Sequence, residues 1–200
     1  LVDNLCIDSQ FHVKYANSLV LFMCISLVKN FVKMSFPLCK YSYEQCYPQN
    51  VDNLHERAGS TNVLHLHGEL TKVTSSADRD RPDCIQELPL DTPLVIGDKS
   101  VDGSQLRPYV VWFGESVPLF EPAIPIVRKA DILIVIGTSL TVYPAANPVH
   151  FAPPAAEKYI INPKLSYDPY DTHISDNFEH IQEKATVGMA ILVERLLGNQ

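Results

Sequence analysis

The sequence predicts an α/β fold with a parallel sheet, on three observations. Asp131–Ile136 is a continuous apolar run, the pattern of a strand covered on both faces. A second such run, Tyr159–Ile161, follows after Val142–Pro154, a stretch long enough for the crossover that parallel neighbours need. Both runs stop in polar tips, Gly137-Thr138-Ser139 and Asn162-Pro163. Open α/β sheets bind ligands beyond the carboxyl ends of their strands, so the paired tips point to a nucleotide-type ligand.

Composition bounds the rest. Two hundred residues, 46% hydrophobic and 20% charged, with mean hydropathy near zero, describe a globular chain with one sizeable core. The net charge is -7 and no basic run is interleaved with aromatics, which argues against nucleic acid as a direct partner. The five cysteines form no CxxC pair, so neither a disulfide framework nor a zinc ribbon is encoded, and a reducing, intracellular setting is expected. The compartment within the cell is left open.

The chain begins at Leu1 rather than Met, which suggests a fragment or an incomplete gene model. Ser18–Val28 is apolar but too short to span a bilayer, so it is read as a buried helix or strand with no membrane role. Phe36–Tyr47 has no clean period.

Gln49–Leu70 is the densest cluster of proton-handling groups, with Asp52, His55, Glu56, Arg57, His65, His67 and Glu69. Asn53–Ala58 is expected as a short exposed helix capped by Gly59, and Asn62–Leu66 as a strand running into His67-Gly68-Glu69. Gly68 would let backbone approach a ligand beside an imidazole. Thr71–Leu106 reads as a polar excursion with little secondary structure, a functional loop or small subdomain. Its Asp78, Asp80, Asp83 and Asp91 lack calcium-loop spacing and are taken as solvated.

Arg107–Glu115 is expected as a strand, either buried with Trp112 in the core or ending at Gly114 where another chain could add by β-augmentation. Pro118–Ala130 is expected as a linker and a helix broken by Pro122 and Pro125. Ala185–Leu197 has the apolar spacing of a closing amphipathic helix. Neither GxGxxG nor GxxxxGK[ST] is present.

In this order, QNVDNLHERAG at 49–59, HLHGEL at 65–70, RPYVVWFGE at 107–115, ADILIVIGTSLTVYPAA at 130–146 and IIN at 160–162 together resemble the sirtuins, NAD-dependent protein deacylases. The resemblance implies a Rossmann-like domain with a smaller subdomain, and removal of acyl groups from protein lysines with release of nicotinamide and O-acyl-ADP-ribose. His67 matches the family's catalytic histidine, which deprotonates a ribose hydroxyl; an imidazole, with a reference pKa near about 6.5, suits that task. Gln49, Asn50 and Asp52 match the segment lining nicotinamide and its ribose. Gly137, Thr138 and Ser139 match a phosphate and ribose contact, Asn162 an adenosine-ribose contact, and Ala185 an adenine-side contact. Val111, Trp112, Phe113, Gly114 and Glu115 match one edge of the peptide-binding groove, and Val142–Pro144, with Tyr143, the other. His65 is expected to turn to the opposite face from His67, and His55 to lie on the helix surface.

Two departures shape the expectation. Most sirtuins carry four cysteines between the histidine and the RPxVVWFGE strand, whereas here Cys84 stands alone, so no zinc is expected in the subdomain. The family's glycine-rich GAG-x-S segment finds no counterpart in residues 1–48, and Pro48 replaces a Thr. The expected organisation is therefore an unmatched segment 1–48 and a sirtuin-like domain 49–200 with 71–106 inserted. The alternatives to deacylation are a catalytically impaired binding module, or ADP-ribosyl transfer to protein from the same cofactor. The oligomeric state is not encoded in any motif.

Overall fold

In the computed structural model, the described residues are 18–23, 43–57, 60, 62–89, 91–138, 147–164 and 177–198. Among the described residues, the principal sheet has five strands: β1 (Ser18–Met23), β2 (Tyr43–Pro48), β6 (Ile132–Ile136), β7 (Glu157–Ile161) and β8 (Glu179–Ile181). Their order is β2-β1-β6-β7-β8 and every neighbouring pair is parallel. The registers bring Met23 level with Pro48 and with Ile136, Ile136 with Ile161, and Ile161 with Ile181. All five carboxyl ends therefore lie along one edge.

Two strands of this sheet come from residues 1–48, so that segment is not set apart from the domain as the sequence reading had it. Ser18–Met23, open between helix and strand from its composition, is a strand lying between β2 and β6.

Period-two alternation explains why β6 is apolar throughout. Ile132, Ile134 and Ile136 face one side, where they pack with Tyr159, Ile161, Ile181, Met189 and Leu192. Leu133 and Val135 face the other, with Tyr47, Leu66, Ala123, Val127 and Ile160. The first layer is closed by α3 (Ala185–Gly198) and the second by α2 (Phe120–Val127) together with a 3-10 turn at Asn147–Phe151. Gly188 brings α3 onto the sheet: a Cβ there would lie 2.4 Å from Ile161 Cγ2. Pro122 and Pro125 do not break α2. Pro122 sits in the first turn, where an amide donor has no partner anyway, and the carbonyl left without its bond by Pro125 belongs to exposed Glu121.

The inserted segment holds more structure than its polar composition suggests. β3 (Gly68–Ser75) is the middle of a three-stranded antiparallel sheet, β4-β3-β5, with β4 at Gln86–Glu87 and β5 at Leu106–Val110. Its register shifts between Glu69 and Val73, and Pro108 of the edge strand β5 sits at that irregularity, where a missing amide donor is tolerated. Among the described residues, no helix is long and apolar enough to cross a membrane.

Candidate active site

The order β2-β1-β6 puts the topological switch between β1 and β6, since the chain leaves β1 toward β2 while β6 pairs on the opposite side. Gln49 and Asn50 follow β2 at this edge, Gly137 and Thr138 follow β6, and Asn162 follows β7. These predicted residues are linked. Thr138 Oγ1 donates to Gln49 Oε1 at 3.3 Å, reaching past the end of the intervening β1. Asn162 Nδ2 donates to the Thr138 carbonyl at 3.1 Å, and the Gly137 amide donates to the Ile161 carbonyl at 3.0 Å. Gly137 takes φ 64°, a left-handed conformation that suits glycine. Ser139 lies outside the described residues.

His67 arrives at the same edge by a route that the sequence did not show. Asn62–Leu66 is not a regular strand; it makes an isolated parallel bridge, Cys46 to Val63, alongside β2. The Cys46 amide donates to Asn62 O at 2.9 Å, Leu64 N to Cys46 O at 2.8 Å, and Leu66 N to Pro48 O at 3.3 Å. The chain then turns at Leu66-His67, and β3 begins at Gly68. The His67 ring lies 2.8 Å through Nδ1 from the Gln49 carbonyl oxygen. A carbonyl only accepts, so Nδ1 carries the proton and Nε2 keeps its lone pair. Among the described residues, no other side-chain hydrogen bond holds the ring.

His65 and His67 do part company, but through this turn and not through strand alternation, which would place residues two apart on one face. His65 is buried, and its Nε2 donates to Glu56 Oε1 at 2.7 Å. His55, expected on the surface, is buried, and the helix that carries it, α1, spans only Leu54–Arg57. Asp52 Oδ1 accepts from the Leu54 amide at 3.1 Å and so shapes the entry to α1.

Two donors in this region have no partner: Nε2 of Gln49, a residue only 7% exposed, and Nδ2 of Asn50. Buried amide donors without acceptors are rare, and two on adjacent residues at a strand end suit a ligand carrying carbonyl or hydroxyl oxygens. Ala185 opens α3 just beyond β8 and is part of the partly buried layer against the sheet.

The 111–115 segment joins the same centre through the backbone. The Val111 amide donates to the His67 carbonyl at 2.8 Å, directly after β5 ends. From there the chain turns instead of continuing as a strand. The Glu115 amide donates to Trp112 O at 3.0 Å, and Gly114 takes φ 88°. Trp112 is therefore not in the core: it is 54% exposed, and Phe113 is fully exposed. Glu115 folds back beneath them. Its carboxylate accepts from the Trp112 amide at 2.9 Å, from Arg107 Nη1 at 2.5 Å and from Arg79 Nη1 at 2.8 Å. The Arg107 hydrogen bond, more than any other influence, lowers the Glu115 carboxyl to about 2. The Arg107 guanidinium also stacks 3.5 Å from the Trp112 ring centroid. Val142 and Tyr143 lie outside the described residues.

Arg79 and Arg107 were not singled out from sequence, and Glu56 was counted in the 49–70 cluster without a role. Their partners are 36, 8 and 9 residues away in the chain, and nothing in local pattern announces such pairings. Among the described residues, no group of three or more His, Cys, Asp or Glu side chains could hold a metal ion.

Fold and site define an α/β protein with linked polar residues at the switch point of its sheet, an imidazole held against them and an exposed aromatic turn joined to the imidazole's backbone. A sequence model described as Sir2 family matches residues 10–144, which includes most of the segment 1–48. An NAD-dependent protein deacylase of Bacteroides thetaiotaomicron is 53% identical over 150 residues, 74% of this chain and 62% of that protein. One from Helicobacter pylori is 47% identical over 149 residues, 74% of this chain and 61% of its own length. A crystal structure of a Sir2 homologue in complex with NAD superposes with a TM-score of 0.63 at 34% identity, covering 84% of this chain and 63% of the other. The chain belongs to the Sir2 family. It spans about three-fifths of the length of the curated relatives it matches.

Proposed function

We propose that this chain carries the catalytic centre of an NAD-dependent protein deacylase that removes acyl groups from lysine side chains and releases nicotinamide and O-acyl-ADP-ribose. The observation that supports this most directly is the pinning of His67 Nδ1 to the Gln49 carbonyl, which leaves Nε2 available as a base. The relatives named as NAD-dependent deacylases and the NAD-bound homologue point to the same cofactor.

The residues present fit that group. The unpartnered amide donors of Gln49 and Asn50, with Asp52 beside them, suit a carboxamide and ribose hydroxyls. Gly137, Thr138 and Ser139, then Asn162 and Ala185, follow or flank the neighbouring strand ends where phosphates and the second ribose would lie. NAD supplies a ribose carbon made electrophilic by its bond to a cationic nicotinamide. His67 accepts a hydroxyl proton at Nε2, and the developing imidazolium is stabilised by the Gln49 carbonyl on its far nitrogen. Val111, Trp112, Phe113, Gly114 and Glu115 receive the acyl-lysine segment, and the sequence assigns Val142 and Tyr143 to the same task. In this reading the small sheet needs no zinc. Cys84 is buried and unpaired, and hydrogen bonds such as Ser75 Oγ to Asp102 Oδ2, at 2.5 Å, hold the segment together.

The test is nicotinamide release from NAD in the presence of acetyl-lysine and longer-chain acyl-lysine peptides. His67→Ala is expected to abolish turnover, a loss of at least about 100-fold for a general base, while NAD affinity measured by calorimetry changes little. Absence of acyl-peptide-dependent nicotinamide release from the unsubstituted protein would overturn the proposal.

A further inference from the structure

We infer that Arg79, in the inserted segment, is a positioning residue that fixes the Trp112–Phe113 turn for the acyl-lysine substrate. This rests on the function proposed above. The turn is exposed at both aromatic tips, and an exposed turn holds one shape only if something beneath it is rigid. Glu115 provides the anchor from within the turn, and Arg107 reaches it from the adjoining strand β5. Among the described residues, Arg79 alone reaches it from outside the Arg107–Glu115 segment. Its Nη1 donates to Glu115 Oε2 at 2.8 Å and its Nη2 to the Ser116 carbonyl at 2.9 Å, so it clamps both residues that close the turn.

Arg79 is itself held. It is 8% exposed, and Nε and Nη2 make a forked contact with Asp80 at 2.9 and 2.7 Å. Its carbonyl accepts from the buried Thr74 hydroxyl at 2.7 Å. The turn before it is built on Ser75, whose Oγ accepts from the amides of Ala77 and Asp78 at 3.0 and 3.1 Å and donates to Asp102 Oδ2 at 2.5 Å. Asp102 and Ser75 thus shape the backbone turn that leads into Arg79, and the Arg79 guanidinium carries the contact on to Glu115. A planar guanidinium is needed there, because a lysine ammonium offers no fork to carboxylate and carbonyl together. The polar excursion read from sequence is, on this inference, the scaffold of the peptide-binding turn.

Trp112 is the only tryptophan in the chain, so its fluorescence reports the turn directly. The experiment compares the unsubstituted protein with Arg79→Met, Arg79→Lys and, as control, Arg81→Met, which removes an exposed pair with Asp83 from the same segment. Circular dichroism first establishes that each variant is folded. Arg79→Met is expected to increase acrylamide quenching of Trp112 and to raise the KM for acyl-lysine peptide about tenfold, the size of one charge-assisted hydrogen bond. The KM for NAD should change less than about twofold, Arg79→Lys should fall between, and Arg81→Met should match the unsubstituted protein. A folded Arg79→Met with unchanged quenching and unchanged peptide KM overturns the inference, as does an equal loss for peptide and NAD. If the unsubstituted protein releases no nicotinamide, the proposed function fails. The quenching comparison needs no turnover and still decides whether Arg79 fixes the turn.

Discussion

Gly68→Ala tests the junction on which the site depends. Gly68 follows His67 and takes φ 82°, and a Cβ there would lie 2.1 Å from the Tyr109 carbonyl oxygen and 2.9 Å from its carbon. The glycine is required by the neighbouring strand, whose backbone it meets, and so for a different reason than close approach to a ligand. Holding alanine in a left-handed conformation costs roughly 1–2 kcal/mol. The clash adds to that: the backbone must move by about 1 Å to restore an ordinary contact, and each hydrogen bond given up at the junction is worth about 1 kcal/mol. The bonds at risk are the Gly68–Val110 register and the 2.8 Å link from Val111 N to His67 O. The sum is about 3–5 kcal/mol, a large share of the roughly 5–15 kcal/mol by which domains are stable. Gly103→Ala provides the reference, because Gly103 has φ 83° but nothing within 4 Å of its built Cβ. Urea unfolding followed by circular dichroism should show Gly103→Ala losing about 1–2 kcal/mol and Gly68→Ala at least about 2 kcal/mol more. Equal losses from the two substitutions would refute the reasoning, since backbone conformation alone would then explain both.

Glu115 should make stability depend on pH in a defined window. Its carboxyl is lowered from its ordinary 4.5 to about 2, chiefly by the Arg107 hydrogen bond, so its stabilisation is complete above about 4.5 and is lost as pH falls toward 2. Glu115→Gln is expected to lose about 1–2 kcal/mol at neutral pH, below the full linkage of roughly 3 kcal/mol because solvent screens a partly exposed group. Urea unfolding at a series of pH values should show this difference shrinking below pH about 4.5, and a difference constant with pH would contradict it. In the core, Leu133→Ala is expected to cost about 2–5 kcal/mol, because Leu133 is fully buried between packed layers, whereas Val187→Ala on the exposed face of α3 should stay within about 1 kcal/mol by the same unfolding assay.

The principal sheet was legible where one strand carries its own burial signal. β6 is apolar at every position because both of its faces are covered, and the polar tips after β6 and β7 do meet at one edge. β2 was illegible: YEQCYP has no period, and parallel pairing with β1 makes it a strand. The alternation in Asn62–Leu66 was misleading because only Val63 forms a bridge, while the regular strand starts after the turn, at Gly68. β3 escaped notice because the register shift between Glu69 and Val73 removes the alternation by which strands are read. Trp112 and Phe113 have strand propensity, but Gly114 and the Glu115 carboxylate fold them into a turn. His55 looked exposed among charged neighbours, and tertiary packing buries it. Within the site, the individual residues were legible through motifs, and the contacts between them were not. The links His67 to Gln49 and Gln49 to Thr138 join positions 18 and 89 residues apart.

Those two links divide the labour of the site between the two sheets. Gln49, Thr138 and Asn162, the residues proposed to hold the cofactor, stand on the carboxyl edge of the principal sheet, tied to one another by side-chain hydrogen bonds. The proposed base and the turn proposed to bind peptide stand instead at the root of the small sheet. His67 immediately precedes β3, Val111 immediately follows β5, and the 2.8 Å bond from Val111 N to His67 O joins them. The His67 Nδ1 contact with the Gln49 carbonyl is the side-chain tie across that division. It orients the imidazole and also couples the two sheets, which is why a base in this position is better served by a backbone carbonyl on β2's end than by a carboxylate free to move or to take the proton.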